Sequence, residues 1–336
     1  MRHAGENVLA KTKPVFVNLQ EEDLPSLPAA LEKNRIEADF YSPGDVDEWV
    51  RALSNRQVLI AWVLPKFMQE VLESCEGLKM IQRFGIGCEQ VPIDVASRKG
   101  IFVCNVPEMM AESVAQHAWS LILALASRVV ETHARMALGK WEAVSPGTEL
   151  WGKTLGIVGL GDVGKRMTEI GRALNTRILA YDPYISKPTA QMFTAKLVDL
   201  ATLLKESDVV CLTPALTKET CRMIGEKELN FMKKTAFLIN VSRGRVVNES
   251  ELVGALEKKL IGGAGLDVFE NEPLPEESPL RKLGNVVMTP HIASYTVEAH
   301  ARTSEAVSEN VARLLKNERP HWIVNIEGLR IHGYLQ

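Results

Sequence analysis

The stretch TLGIVGLGDVG, residues 154–164, constrains the fold of this chain more than any other. An apolar run, LGIV, passes straight into Gly159-Leu160-Gly161-Asp162-Val163-Gly164 and on into a segment of helical pattern. A parallel strand covered on both faces reads as a continuous apolar run, and a tight turn from it into a helix needs residues without a Cβ. A bare G-x-G-x-x-G is weak, since glycine is common and most isolated matches only make a turn. Here the context the motif requires is present: strand, turn, helix, and a second strand, RILAYD, ending on Asp182. The pattern predicts a doubly wound α/β sheet that binds a dinucleotide.

Each position has a physical task. Gly159 permits the tight turn, Gly161 removes the side chain that would block a pyrophosphate, and Gly164 lets helix and strand approach closely. The helix N-terminus, beginning at Asp162 and Val163, offers unpaired amides and its dipole to the negative charge. A carboxylate at Asp182 accepts hydrogen bonds from ribose hydroxyls and repels a 2′-phosphate, so NAD is expected rather than NADP. The fingerprint alone leaves FAD open, but the polar residues downstream suit hydride transfer better.

The same strand–helix alternation fills the first hundred residues. PVFVNL (Pro14–Leu19), RIEADFY, QVLIAWV, LKMIQRFG and IFVCNV read as strands, with helical stretches at 27–33, 46–53, 67–75 and 93–98 between them. They make one compact α/β unit. A long helix over roughly 111–128 follows, apolar on more than one face, which places it between domains or between subunits. His117 within it reads as a hydrogen-bonded structural histidine. Residues 137–153, with two tryptophans, form an ordered connecting loop. The second unit then shows six strands: TLGIV, RILAYD, DVVCLT, AFLINV, AGLDVF and NVVMTP. Asn248 followed by Glu251 has the pattern of a capping box. The segment from Thr296 to Leu315 is helical.

Composition narrows the classes. The 336 residues suffice for two domains, and 39 basic against 42 acidic side chains leave a formal charge of −3, which gives no field for a polyanion. Nucleic acid is therefore not an expected partner. The five cysteines show neither metal-ligand spacing nor a disulfide framework, so no metal and a reducing compartment are expected. The N-terminus lacks a signal-peptide core, and no stretch is long and uncharged enough to span a bilayer, so the chain reads as cytoplasmic with no membrane partner.

Three groups of polar residues end apolar strands of the second unit, the edge where doubly wound sheets place ligands: Arg243 in NVSRG, Asp267 with Glu272 in LDVFENEP, and His291 in TPH. Singly, each could be a solvated turn or loop residue. Together they match the needs of one reaction. Oxidising a secondary alcohol needs a base for the hydroxyl proton, and the reverse needs an acid at the carbonyl oxygen; histidine serves both. A carboxylate bonded to one ring nitrogen fixes the tautomer and favours the imidazolium. Arginine offers a fixed fork to a planar carboxylate and positive potential beside a developing alkoxide.

On these residues the chain resembles the D-isomer-specific 2-hydroxyacid dehydrogenases. The matching motifs are NVPEMMAESVAQHAWSLILALA, ELWGKTLGIVGLGDVGKRM, YDPY, LLKESDVVCLTPALTKET, FLINVSRGRVVNESELVGALEKKLIGGAGLDVFENEP and NVVMTPHIASYTVEA, covering residues 105–299 with little interruption. The first hundred residues match more loosely, by domain pattern and by RFGIG before IDVASRKGIFVCNVP.

The resemblance implies a Rossmann-type cofactor domain, residues 106–295, and a smaller flavodoxin-like α/β substrate domain, residues 1–105 completed by about 296–336, with a cleft between them. It implies His291 as general acid/base, Glu272 as its partner, and Arg243 as the residue that binds the substrate carboxylate and polarises the carbonyl. Asp267 would hold the nicotinamide carboxamide and Asp182 the ribose, with Thr213 and Val241 completing the cofactor contacts. The backbone at Gly85, Ile86 and Gly87 would receive the carboxylate, while Leu64, Ile86 and Tyr295 would meet the group on C2. A homodimer through the long helix is implied.

The implied reaction moves a hydride between NAD(H) and C2 of a small D-2-hydroxy or 2-oxo acid, glyoxylate or hydroxypyruvate by preference. The alternatives are a phosphoglycerate-dehydrogenase-like enzyme or an NAD-sensing, corepressor-like scaffold. The sequence departs from many relatives at Cys88-Glu89-Gln90, where Asp-Asn is common, and at Thr213, where histidine or asparagine is common. Glu272 argues against the formate-type subgroup, which carries glutamine there. Ending at residue 336, the chain has no room for the regulatory domain of some phosphoglycerate dehydrogenases.

Overall fold

The structure is a computed structural model that describes residues 15–17, 25–142 and 145–335. Pro14, Asn18 and Leu19 of the first expected strand, and the N-terminal segment before it, lie outside the described residues. The chain divides into two compact units, one running to Met110 and again from Thr296, the other Ala111–Tyr295.

In the first unit β1 (Val15–Val17), β2 (Asp39–Tyr41), β3 (Val58–Ala61), β4 (Met80–Arg83) and β5 (Phe102–Cys104) form a parallel sheet in the order β2-β1-β3-β4-β5, the flavodoxin-like winding. The two-residue period of β3 splits its side chains between two cores. Leu59 and Ala61 join Trp49, Leu53 and Leu72 on one face, while Val58 and Ile60 join Val307 and Val311 of helix Val297–Leu315 on the other. The late helix is thus a structural layer of the early sheet.

Residues 105–109 stay with this unit for a local reason. The Asn105 amide donates to the Trp322 carbonyl at 3.3 Å, Val106 to Gly85 at 3.2 Å, and Arg302 Nε to Met109 at 3.0 Å. The break therefore falls after Met110, later than the 105/106 boundary read from the sequence.

In the second unit the strands are β6 (Thr154–Val158), β7 (Arg177–Tyr181), β8 (Lys196–Leu197), β9 (Val209–Leu212), β10 (Phe237–Asn240), β11 (Gly263–Leu266) and β12 (Val286–Met288). They run parallel in the order β12-β11-β10-β9-β6-β7-β8, so the winding reverses between β6 and β9. That reversal opens the crevice at the strand ends where doubly wound folds bind ligands. Strand β8 escaped the sequence reading because two residues show no periodicity.

Helix Ala111–Ser127 uses its apolar surface within its own unit. Ala118, Leu121 and Ile122 pack in the core with Ile157, Met167 and Ile239, and a Cβ on Gly265 of β11 would stand 3.0 Å from Leu121 Cβ. It covers the sheet. Asn248 does precede a helix, Glu249–Glu257, but its side chain makes no capping bond there. Glu251 instead accepts from the Glu226 amide at 2.6 Å, so the expected capping box is replaced by a tie between two helices.

Candidate active site

The glycine turn is built by contact and by conformation. Gly159 has φ +91°, and a Cβ there would stand 2.8 Å from Pro214 N, so both the backbone and the space demand glycine. A Cβ on Gly164 would stand 2.3 Å from the Gly159 carbonyl oxygen, the close helix–strand approach expected. A Cβ on Gly161 would meet no atom within 4 Å. Gly161 caps helix Asp162–Ala173, whose first amides lack intrahelical partners. An open side at Gly161 beside unspent amides fits a dinucleotide pyrophosphate. Asp162 is exposed and lies 3.8 Å from Lys165, while Val163 is half-buried against the core.

Asp182 directly follows β7, with both carboxylate oxygens fixed by backbone: Oδ2 accepts from the Leu160 amide at 2.8 Å and Oδ1 from Tyr184 at 2.9 Å. One lone pair remains on each oxygen for a ribose hydroxyl. Thr213 commits its hydroxyl to the turn itself, donating to the Gly159 carbonyl at 2.6 Å. Val241 places its side chain in the core. These two support the site from behind.

After β10 the chain is steered by Asn240, a buried residue the sequence reading passed over as part of a strand. Its Nδ2 donates to the Arg243 carbonyl at 2.9 Å, and its Oδ1 accepts from the Ser242 amide and hydroxyl at 3.1 and 2.9 Å. Arg243 follows, with Nη1 donating to the Ser242 carbonyl at 2.8 Å. The next residue has no freedom, since a Cβ on Gly244 would stand 1.8 Å from the Phe269 carbonyl carbon. That contact locks the Arg243 turn to the loop carrying Glu272.

Asp267 organises the loop that bears His291. Its side chain is 1% exposed. Oδ1 accepts from the Thr289 hydroxyl at 2.6 Å and the Ile292 amide at 2.9 Å; Oδ2 accepts from Ala293 at 2.9 Å; its own carbonyl accepts from the His291 amide at 2.8 Å. Burial alone would raise the Asp267 carboxyl, but His117, Thr289 and the two amides outweigh it and hold the group below the usual carboxylate range. His291 adopts φ +54°, a left-handed conformation that costs a non-glycine residue on the order of 1–3 kcal/mol. Hydrogen bonds to a charged group contribute about 1.5–3 kcal/mol each, so Asp267 more than offsets that strain.

The histidine ring is completed by Glu272, whose Oε2 lies 2.7 Å from Nδ1 while Oε1 accepts from the Phe269 amide at 3.0 Å. Burial pushes the Glu272 carboxyl up, and the His291 contact, the Phe269 amide and the charge of Arg243 together bring it below its usual value. The His291 side chain is 47% exposed, and its Nε2 has no hydrogen-bond partner among the described residues. One nitrogen is anchored to a carboxylate and the other remains open. Arg243, Glu272 and His291 are thus brought together, while Asp267 stands behind them. His117, read as structural, has that place: its Nε2 lies 2.8 Å from the Thr289 hydroxyl.

In the first unit, Gly85 has φ +148° and Ile86 is 44% exposed. Leu64 requires correction. Its side chain is 2% exposed and packs in the core with Met68 and Leu72, so it cannot line a substrate pocket. Its amide donates to Gln90 Oε1 at 3.1 Å, which gives the unusual Gln90 a structural task. Tyr295, in the second unit, is 52% exposed.

Residues 119–293 match the family described as D-isomer specific 2-hydroxyacid dehydrogenase, NAD binding domain. The chain is 38% identical to a glyoxylate reductase of Thermofilum pendens over 86% of its own length and 87% of that protein. It is 35% identical to a D-3-phosphoglycerate dehydrogenase of Archaeoglobus fulgidus over 89% of its length, but spans only 57% of that longer protein. Its fold matches D-lactate dehydrogenase of Aquifex aeolicus, solved with NAD and lactic acid, at TM-score 0.80 and 29% identity, covering 95% of this chain and 98% of the other.

Proposed function

The chain belongs to the D-isomer-specific 2-hydroxyacid dehydrogenases, and we propose that within this NAD-dependent family it reduces glyoxylate or hydroxypyruvate. The observation that carries the reading is the 2.7 Å contact between His291 Nδ1 and Glu272, which leaves Nε2 for a substrate oxygen.

When bound, NAD(H) supplies or takes the hydride. The chain supplies the rest. In reduction, His291 Nε2 delivers a proton to the carbonyl oxygen as negative charge develops there, and Glu272 holds the ring in place through Nδ1. In oxidation the same nitrogen takes the hydroxyl proton. Arg243 binds the carboxylate and polarises the carbonyl. The first unit, by itself, offers the amides of Ile86 and Gly87 to a carboxylate. Asp182 binds the adenosine ribose, the turn at Gly159, Gly161 and Gly164 receives the pyrophosphate, and Asp267, with a side chain only 1% exposed, acts from behind by holding the loop of His291 rather than by reaching the carboxamide.

The small acids are favoured over a phosphorylated one because Arg83, the guanidinium beside these amides, is engaged by the carbonyls of Trp62 at 2.5 Å and Gly87 at 2.9 Å. The 38% identity to a glyoxylate reductase points the same way. The test compares kcat/KM with NADH across glyoxylate, hydroxypyruvate, pyruvate, a branched 2-oxo acid and phosphohydroxypyruvate. A hundredfold preference for the branched or phosphorylated compound would overturn the assignment.

A homodimer is part of the same proposal. Leu138, Trp141 and Trp151 of the second unit are 74%, 87% and 69% exposed, and a second copy would cover them. Sedimentation of the protein gives its mass directly. No helix among the described residues is long and apolar enough to cross a membrane, and cytoplasmic placement is proposed with the dimer.

A further inference from the structure

The carboxylate-receiving loop after β4 is held from behind by groups to which the reaction gives no part. Three successive carbonyls are engaged. Gly85 O accepts from the Val106 amide at 3.2 Å, Ile86 O from Asn105 Nδ2 at 3.0 Å, and Gly87 O from Arg83 Nε at 2.9 Å. A trans peptide is planar with its N–H opposed to its C=O, so fixing one fixes the direction of the other. The peptide joining Gly85 to Ile86 carries the Ile86 N–H, and the next carries the Gly87 N–H. With the Gly85 carbonyl held by Val106 and the Ile86 carbonyl by Asn105, these two amides face away from the protein, and Arg83, holding the Gly87 carbonyl of the following peptide, anchors the far side of Gly87. Neither has an acceptor among the described residues. Successive amides presented on one side form an anion-binding concavity.

We infer that Asn105, through the peptide that carries the Gly87 amide, and Arg83, through the peptide that follows it, are positioning residues that hold this loop for the acid's carboxylate, a role that rests on the dehydrogenase reading above. The two differ in what they tie together. Asn105 stands just past β5 and joins that strand's exit to the loop. Arg83 ends β4 and forks, Nε to Gly87 and Nη2 to the Trp62 carbonyl at 2.5 Å, so it clamps the exits of β3 and β4 into one piece. The clamp has its own support: Gln82 Nε2 donates to the Arg83 carbonyl at 2.9 Å, and Asn310 of helix Val297–Leu315 donates to Gln82 Oε1 at 2.7 Å. The late helix therefore fixes the strand end from which the loop departs.

A positioning role differs in its outcome from charge attraction by Arg83 and from general support of the fold. Arg83→Lys keeps the charge but cannot span two carbonyls with a planar fork. Asn105→Ala removes one neutral donor at a half-buried position. The wild-type enzyme is first assayed with NADH and glyoxylate; if it turns over none of the 2-oxo acids, the functional reading fails rather than this one. With turnover established, each variant is measured for the KM of glyoxylate, the Ki of oxamate against glyoxylate, and the Kd of NADH. The expected result is a rise of about tenfold or more in both KM and Ki for each variant, the scale of one mispositioned hydrogen bond, with NADH Kd within about twofold. Unchanged KM and Ki in Asn105→Ala, or NADH affinity falling in step with them, would overturn the inference. Full retention in Arg83→Lys would reassign Arg83 to charge attraction. If Arg83→Lys fails to fold, Asn105→Ala alone decides.

Discussion

His117 lies across 172 positions of chain from Thr289, yet its Nε2 stands 2.8 Å from the Thr289 hydroxyl oxygen. That hydroxyl has one proton, and it lies 2.6 Å from Asp267 Oδ1, which as a carboxylate only accepts. Toward His117 the hydroxyl must therefore accept, so His117 donates through Nε2. The contact ties helix Ala111–Ser127 to the loop that carries His291.

Thr289→Val tests this tie. It keeps the shape and deletes the shared hydroxyl, leaving His117 and Asp267 to meet directly at 3.5 Å or to drift. The expected outcome is a fall in kcat of about tenfold with KM for the acid within about threefold, since a mis-set His291 weakens the transition state more than the bound ground state. Steady-state kinetics decide; an unchanged kcat means the tie does not reach the ring.

Asp267→Asn reads the same network through pH. The Asp267 value is below the ordinary 3.8 in the folded protein, so its ionised form contributes stability above 3.8 that is lost as pH falls through the folded value. The variant should be less stable than wild type at neutral pH by on the order of 3 kcal/mol, as for removal of one member of a buried charged network. That gap should narrow on acidification below 3.8. Denaturant melts at several pH values measure it, and a gap that widens in acid reverses the sign.

His291→Asn should leave NADH affinity nearly intact and cut kcat by roughly 10²–10⁴-fold, the scale for losing a general acid/base. Glu272→Gln keeps a hydrogen-bonding side chain but removes the carboxylate that holds the ring through Nδ1, and is expected to lose less than His291→Asn. Full activity of the histidine variant across pH would move proton transfer to another group.

Asp182→Ala concerns the cofactor alone. Wild type should bind NADH at least about tenfold more tightly than NADPH, because the fixed carboxylate repels a 2′-phosphate. The alanine variant should narrow that difference by weakening NADH rather than by tightening NADPH. Fluorescence titration of both nucleotides gives the four constants; equal affinities in wild type would sink the assignment.

The sequence by itself determined the alternating strands and helices of both units apart from β8, the glycine turn, and the places of Asp182, Arg243, Glu272 and His291 just past strands. Each of these is written in a short window: an apolar run, a glycine spacing, or a polar residue ending a strand. What it could not place were effects of chain segments far apart. Leu64 was expected to meet the group on C2, but the helix Met68–Ser74 folds back and buries it. Asn248 and Glu251 had the spacing of a cap, yet the Glu226 amide claimed the glutamate. Nothing near Asn105 marks it as the donor to Ile86, nothing near Asn240 as the donor to the Arg243 carbonyl, and nothing near Thr289 announces His117. Local patterns record the conformations a segment favours, whereas a hydrogen bond between distant segments exists only once packing has brought donor and acceptor within about 3 Å. The polar residues of the candidate site were therefore legible, and the residues that hold them in place were decided by the tertiary structure.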